Sequence, residues 1–135
     1  MTRYVIGPDV ALQLAHQKAR LPAQHQLLAP TLLRSQVLAI LFGAVQRGEL
    51  ARKDAEARLD HLRRLRLRLL GDRVLQRVAW QMAERLAWPD TFIAEYLALT
   101  QLQADAFVTL DPALAQAVRG VVAVAELDAL LDAGG

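Results

Sequence analysis

Hydrophobic and polar positions change period several times along the chain, and the changes mark out alternating strands and helices. Residues 3–6 form a short apolar run that stops at Gly7-Pro8, a turn signal, and read as a first strand. Val10, Leu12 and Leu14 begin a helix to about Arg20, which Asp9 can cap and Leu21-Pro22 ends. Residues 26–29, closed by Pro30, are a second apolar run. From Thr31 onward Leu33, Val37, Ile40, Leu41 and Ala44 recur at three- and four-residue spacing on one helical face, until Gly48. Residues 51–64 make a third helix whose Arg52, Lys53, Asp54, Glu56, Arg58 and Asp60 form a solvated face.

The period then shifts to two. Arg64, Arg66 and Arg68 alternate with Leu65, Leu67 and Leu69, which predicts a strand over 64–70 with one charged and one apolar face. A strand inside a parallel sheet is covered on both faces and cannot bury such a row, so this strand belongs at an edge. Gly71-Asp72 leads into a helix over 73–87, with Val74, Val78, Met82 and Leu86 on its apolar side. Trp88-Pro89 stops it, and Asp90 or Thr91 caps another helix over 92–102. Residues 106–109 are a fourth strand, followed by Asp111-Pro112 and a short helix over 113–118; residues 120–125 are a fifth strand and 126–131 a helical turn.

Strands alternating with helices predict an α/β domain, three layers of α/β/α around a mostly parallel five-stranded sheet, with residues 1–135 as one unit. If the chain winds outward from a central first strand to the arginine strand, the fourth strand must return to the first strand's other side. Ligands bind where strand order reverses, beyond the carboxyl ends of the strands. Asp9 and Asp111 follow the two strands at that point, so a shared cleft is expected there.

Composition narrows the chemistry. A chain of 135 residues has room for one core, and the absence of cysteine removes disulfides and thiolate metal sites. The apolar stretch over 37–45 is too short to span a bilayer, and residues 1–8 show no charged leader before an apolar run; a cytoplasmic protein without membrane contact is expected. With 16 basic and 14 acidic residues, net charge +2 permits a nucleic-acid partner without demanding one. His16, His25 and His61 lack metal-ligand spacing and fall on polar faces or loops, Ser35 has no nucleophile elbow, and no glycine-rich phosphate loop follows a strand. Trp80 and Trp88 read as core or helix-end packing.

Four phrases carry a resemblance: Tyr4-Val-Ile-Gly-Pro-Asp-Val-Ala-Leu, Leu32-Leu-Arg-Ser-Gln-Val-Leu, Trp88-Pro-Asp-Thr-Phe-Ile-Ala-Glu-Tyr-Leu-Ala-Leu and Phe107-Val-Thr-Leu-Asp-Pro-Ala-Leu. As a collinear set covering essentially the whole chain, they resemble the signature stretches of PIN-domain ribonucleases, closest to the VapC-type toxins of toxin–antitoxin pairs. The resemblance implies a cluster of acids holding Mg²⁺ or Mn²⁺ for RNA hydrolysis, since hard divalent ions take oxygen ligands and activate water. Position by position the chain departs from it. The first-strand acid falls on Gly7, the second-helix acid on Gln36 and the late-helix acid on Ile93; only Asp111 matches, and Asp9 lies two residues after the first acid. The implied catalytic set is Asp111, Asp9 and Gln36, with Asp111 and Asp9 as metal ligands and Asp90 and Thr109 as accessory groups. Arg34, Arg66 and Arg68 are the candidates for RNA phosphates. A site so depleted predicts weak metal binding and weak or absent nuclease activity, with RNA or antitoxin binding retained; the alternative is an active Mg²⁺-dependent ribonuclease with rearranged ligands. A homodimer is expected.

Overall fold

The computed structural model describes residues 1–131. In chain order the elements are β1 (Thr2–Ile6), α1 (Pro8–Gln17), β2 (His25–Pro30), α2 (Leu32–Gln46), α3 (Arg52–Arg64), β3 (Leu67–Leu70), α4 (Arg73–Arg85), α5 (Phe92–Gln103), β4 (Ala106–Val108), α6 (Pro112–Val118), β5 (Val124–Ala125) and α7 (Leu127–Leu131). The strands form one sheet in the order β3-β2-β1-β4-β5, with every neighbouring pair parallel. Tyr4 of β1 lies opposite Leu27 of β2 and Ala106 of β4, while Leu28 of β2 lies opposite Arg68 of β3. The central first strand, the edge position of the arginine strand and the α/β class therefore stand as the sequence suggested.

Helices cover both faces, as right-handed parallel crossovers require. α1, α2 and α3 pack on one another, whereas α4 packs on α5, which lies across β1, β2 and β4. Both sides of the central strands are consequently dry: Val5, Ile6, Leu27, Leu28, Phe107 and Val108 are all buried. α5 sits between the sheet and α4, so it is apolar nearly all round, burying Ala94, Tyr96, Leu97, Ala98, Leu99 and Thr100. None of the described helices is long and apolar enough to cross a membrane.

Several local expectations are corrected. α3 runs to Arg64 and Leu65 follows as its C-cap, so β3 starts only at Leu67 and Arg68 is the one arginine of the run inside it. The last helical turn and the strand share one charged–apolar alternation, and the helix's hydrogen bonds take the first part. α1 stops at Gln17, because Lys18 adopts the left-handed conformation as its C-cap. Gly7, not Asp9, holds the N-cap position of α1. β5 shrinks to two residues after a turn through 119–122. α4 turns Leu75, Ala79, Met82 and Ala83 inward and leaves Val74 exposed, one residue out of the expected phase. Ile40 and Trp80 are exposed rather than packed in the core, the Trp80 indole N–H donating to Glu84 on the surface. His25, expected on a polar loop, is buried in β2 edge-on to Tyr4, with ring centroids 5.3 Å apart.

Two leucines on helices should separate core from surface. Leu97 is 0% exposed and Leu38 is 56% exposed. Leu97→Ala is expected to cost about 2–5 kcal/mol in urea unfolding, and Leu38→Ala at most about 0.5 kcal/mol. Equal costs would contradict the assignment of α5 as the buried helix.

Candidate functional site at the switch point

Strand order reverses between the parallel neighbours β1 and β4, and the two segments leaving them are tied together at once. Gly7 N–H donates to the Val108 carbonyl at 3.1 Å, extending the strand pairing one residue past Ile6. The Asp9 carboxylate then bridges the two loops. Its Oδ2 accepts from Thr109 Oγ1 and from Leu110 N–H, each at 2.8 Å, and its Oδ1 accepts from Val10 N–H at 2.8 Å. Thr109 Oγ1 in turn accepts from Asp111 N–H at 3.2 Å. Asp111 caps α6, its Oδ1 accepting from Ala113 N–H at 2.9 Å and Leu114 N–H at 3.3 Å.

Gly7 is explained by this carboxylate. Its φ of −77° and ψ of 169° are open to any residue, so its backbone conformation does not require glycine. A Cβ at Gly7, however, would lie 2.7 Å from Asp9 Oδ1. Asp9 thus occupies the space into which a side chain at position 7 would project.

These groups open into a cleft of 410 Å³. Gly7, Asp9, Gln36, Ile93, Thr109 and Asp111 all line it, so the expected convergence is present. The remaining wall is mostly apolar, with Leu12, Ile40, Phe92, Phe107 and Leu114 around the polar floor. Tyr96 also faces in and donates its hydroxyl to Gln36 Oε1 at 2.6 Å. Burial, with the negative charges of Glu95 and Asp9 added, pushes the Tyr96 hydroxyl well above its ordinary value of 10.0, so it remains a donor. Burial likewise pushes the Glu95 carboxyl up.

Three sets of candidates lie elsewhere. Asp90 does not line the cleft, and its Oδ1 accepts from Phe92 N–H at 3.1 Å at the start of α5. Arg34 and Arg68 are exposed away from the cleft, and Arg66 lines a different hollow. Tyr96 and Phe92 escaped the sequence reading. Tyr96 lies three residues after Ile93, on the same helical face, and that spacing was the available signal.

Asp9, Asp111 and Gln36 are the oxygen donors that the cleft could offer a divalent ion. Mg²⁺ takes near-octahedral oxygen ligation, usually one or two carboxylates completed by water and phosphate oxygens. Here both Asp9 oxygens, one Asp111 oxygen and the Gln36 carbonyl already accept hydrogen bonds. Among the described residues, no group of three or more His, Cys, Asp or Glu side chains is placed to hold a metal ion. The cleft thus offers a divalent ion two carboxylates and one amide oxygen, each already engaged in hydrogen bonds within the protein.

No family model and no curated protein matches the chain. Its structure is similar to the crystal structure of PAE2754 from Pyrobaculum aerophilum, with 17% identity, a TM-score of 0.71, and coverage of 96% of this chain and 94% of that one. Identity at this level carries the α/β fold and not the chemistry.

Two measurements follow. Gly7→Ala should displace Asp9 and cost about 1–3 kcal/mol, whereas in an Asp9→Ser background the same change should cost less than about 0.5 kcal/mol. Additive costs in that cycle would separate Gly7 from Asp9. Because Tyr96 has a folded pKa above its unfolded value of 10.0, its contribution is complete below pH 10 and is lost as the pH climbs through the folded value. Stability should fall above pH 10, and less steeply in Tyr96→Phe; identical alkaline slopes would remove Tyr96 as the cause.

Proposed function

We propose that this protein is a PIN-like, VapC-related cytoplasmic domain whose former hydrolytic site is a binding cleft: it engages an antitoxin-like protein, or RNA, without cutting RNA. The observation that carries this reading is the commitment of Asp9. Its carboxylate is the acceptor that closes the β1 and β4 loops, and releasing it to a metal would cost the bonds to Thr109, Leu110 and Val10. The apolar wall favours a protein partner. Phe92 and Ile93, half exposed at the cleft, continue onto exposed Ile40 of α2, a surface suited to an apolar side chain of a partner. A homodimer is proposed through Phe42 of α2, an exposed aromatic ring outside the cleft lining.

The second reading, a weak Mg²⁺- or Mn²⁺-dependent ribonuclease using Asp9, Asp111 and Gln36, draws its support from the shared cleft of the two carboxylates. On the binding reading, no step is assigned to a metal ion.

Calorimetric titration with Mn²⁺ and cleavage of a structured RNA separate the two. The unmodified chain should show no saturable Mn²⁺ binding in the low millimolar range and no cleavage. The combined variant Gly7→Asp, Asp9→Ser, Ile93→Asp should gain Mn²⁺ affinity by about tenfold or more, because it adds carboxylates and clears the space beside position 7. Cleavage by the unmodified chain that Asp111→Ala abolishes would establish the nuclease instead. Light scattering should give a dimer mass that Phe42→Arg halves; a monomer at working concentration would dismiss the dimer.

A further inference from the structure

The opposite end of the sheet, where the chain enters β2 and β3, holds a second hollow with the reverse character. The carboxyl ends of α1 and α3 and the segment leading into β2 frame a cleft of 580 Å³. Its charged lining is Lys18, Arg20, Arg64 and Arg66, with His25 and His61 beside them, and no carboxylate contributes to it. Leu21, Pro22 and Leu65 supply an apolar, half-buried floor.

Basic residues on a convex surface splay apart into water. In a concavity they share a field that low-dielectric walls focus, and like charges raise one another's energy until an anion enters. Within this cleft the four cations meet no carboxylate. The ion pairs among the described residues are Arg47–Glu49, Arg52–Glu56 and Arg63–Asp60, and none includes any of the four. Asp54 and Asp60 line the adjoining hollow, which Lys18 and Arg64 share with His16 and Arg58, whereas Arg20 and Arg66 line the acid-free cleft alone. The two helix carboxyl ends bring roughly half a negative charge each, which leaves most of the positive charge uncompensated.

Lys18 adds an independent sign. It stands at φ 52° and ψ 41°, closing α1 through bonds from its N–H to Ala15 and Leu14 carbonyls. Glycine or asparagine is the ordinary occupant of such a left-handed cap. A lysine there breaks the local rule while placing an ammonium at the rim of both hollows, and such departures gather at functional sites.

We infer that this cleft is a polyphosphate site: Lys18, Arg20, Arg64 and Arg66 hold two or more phosphate groups in series, and Leu21, Pro22 and Leu65 take the attached base. Guanidinium forks match phosphate oxygens bidentately, and the volume falls within the range of about 300–1,000 Å³ usual for small-ligand sites. Phosphates in series are borne by a free nucleoside di- or triphosphate or by the 5′-triphosphate end of an RNA strand. The site is independent of the Asp9–Asp111 cleft, which opens beyond the other ends of the strands.

Calorimetry on the full chain with ATP, inorganic pyrophosphate and adenosine tests this. ATP and pyrophosphate should bind saturably, one per chain, and adenosine should not. Lys18→Gln with Arg64→Gln, and separately Arg20→Gln with Arg66→Gln, should each weaken ATP by about tenfold or more, with the fold checked by circular dichroism. Arg47→Gln with Arg52→Gln should change it by less than about twofold, as should Asp111→Ala. A single-stranded RNA of about ten nucleotides with a 5′-triphosphate assigns the source: displacement of ATP at lower concentration points to a strand end, and failure to compete points to a free nucleotide. Absence of saturable binding by ATP and pyrophosphate, or equal losses in the cleft pairs and the Arg47/Arg52 pair, would overturn the site.

Discussion

Asp9 is a half-buried carboxylate on the floor of a cleft with apolar side chains from four helices on its walls, and a polar group in such surroundings is costly unless it is hydrogen-bonded. The chain itself supplies the bonds. Two peptide N–H groups and one hydroxyl converge on it, and two of those three donors come from the loop after β4. The bridge therefore fixes the separation of the β1 and β4 loops and with it the width of the cleft. Asp111 inherits its position from the same arrangement, since its own N–H is held by the Thr109 hydroxyl that serves Asp9. Gly7 follows from it too, because any side chain there would contest the carboxylate's place.

A single network accounts for the contrast between this cleft and an ion-binding one. Metal affinity rises with the number and charge of the oxygen ligands gathered at one place, and this cleft gathers two carboxylates. Here the oxygens close loops, and Gln36 closes onto Tyr96. Ile93 and Phe92 then make the wall hydrophobic, which further disfavours an exposed cation and favours a nonpolar visitor. The opposite pole of the sheet has the complementary character: cations without acids, framed by helix carboxyl ends.

Much of this was legible from sequence because it depended on short-range pattern. The alternation around Arg68 put β3 at the edge, and once that was fixed the switch point between β1 and β4 followed, with the two aspartates beside it. Strand and helix limits were less legible. Arg64 and Leu65 carry the same alternation as Leu67 and Arg68, and nothing local says that the helix keeps the first two. The phase of α4 slipped by one residue because Val74 is as hydrophobic as Leu75, and only the packing partner α5 chooses between them. The use of Asp9 was invisible for a different reason: its decisive donors, Thr109 and Leu110, lie about a hundred residues away along the chain. His25 was misplaced similarly, its burial depending on Tyr4 across the sheet.

The borders of the sheet carry one more consequence. On one side β3 has four residues and presents exposed Arg68; on the other β5 has two. Neither border offers a long run of unpaired peptide groups, and an arginine beside one of them repels a second copy of itself. Fibril-like stacking and strand exchange between molecules are thereby discouraged, because the backbone at both borders of the sheet offers a second molecule little to pair with.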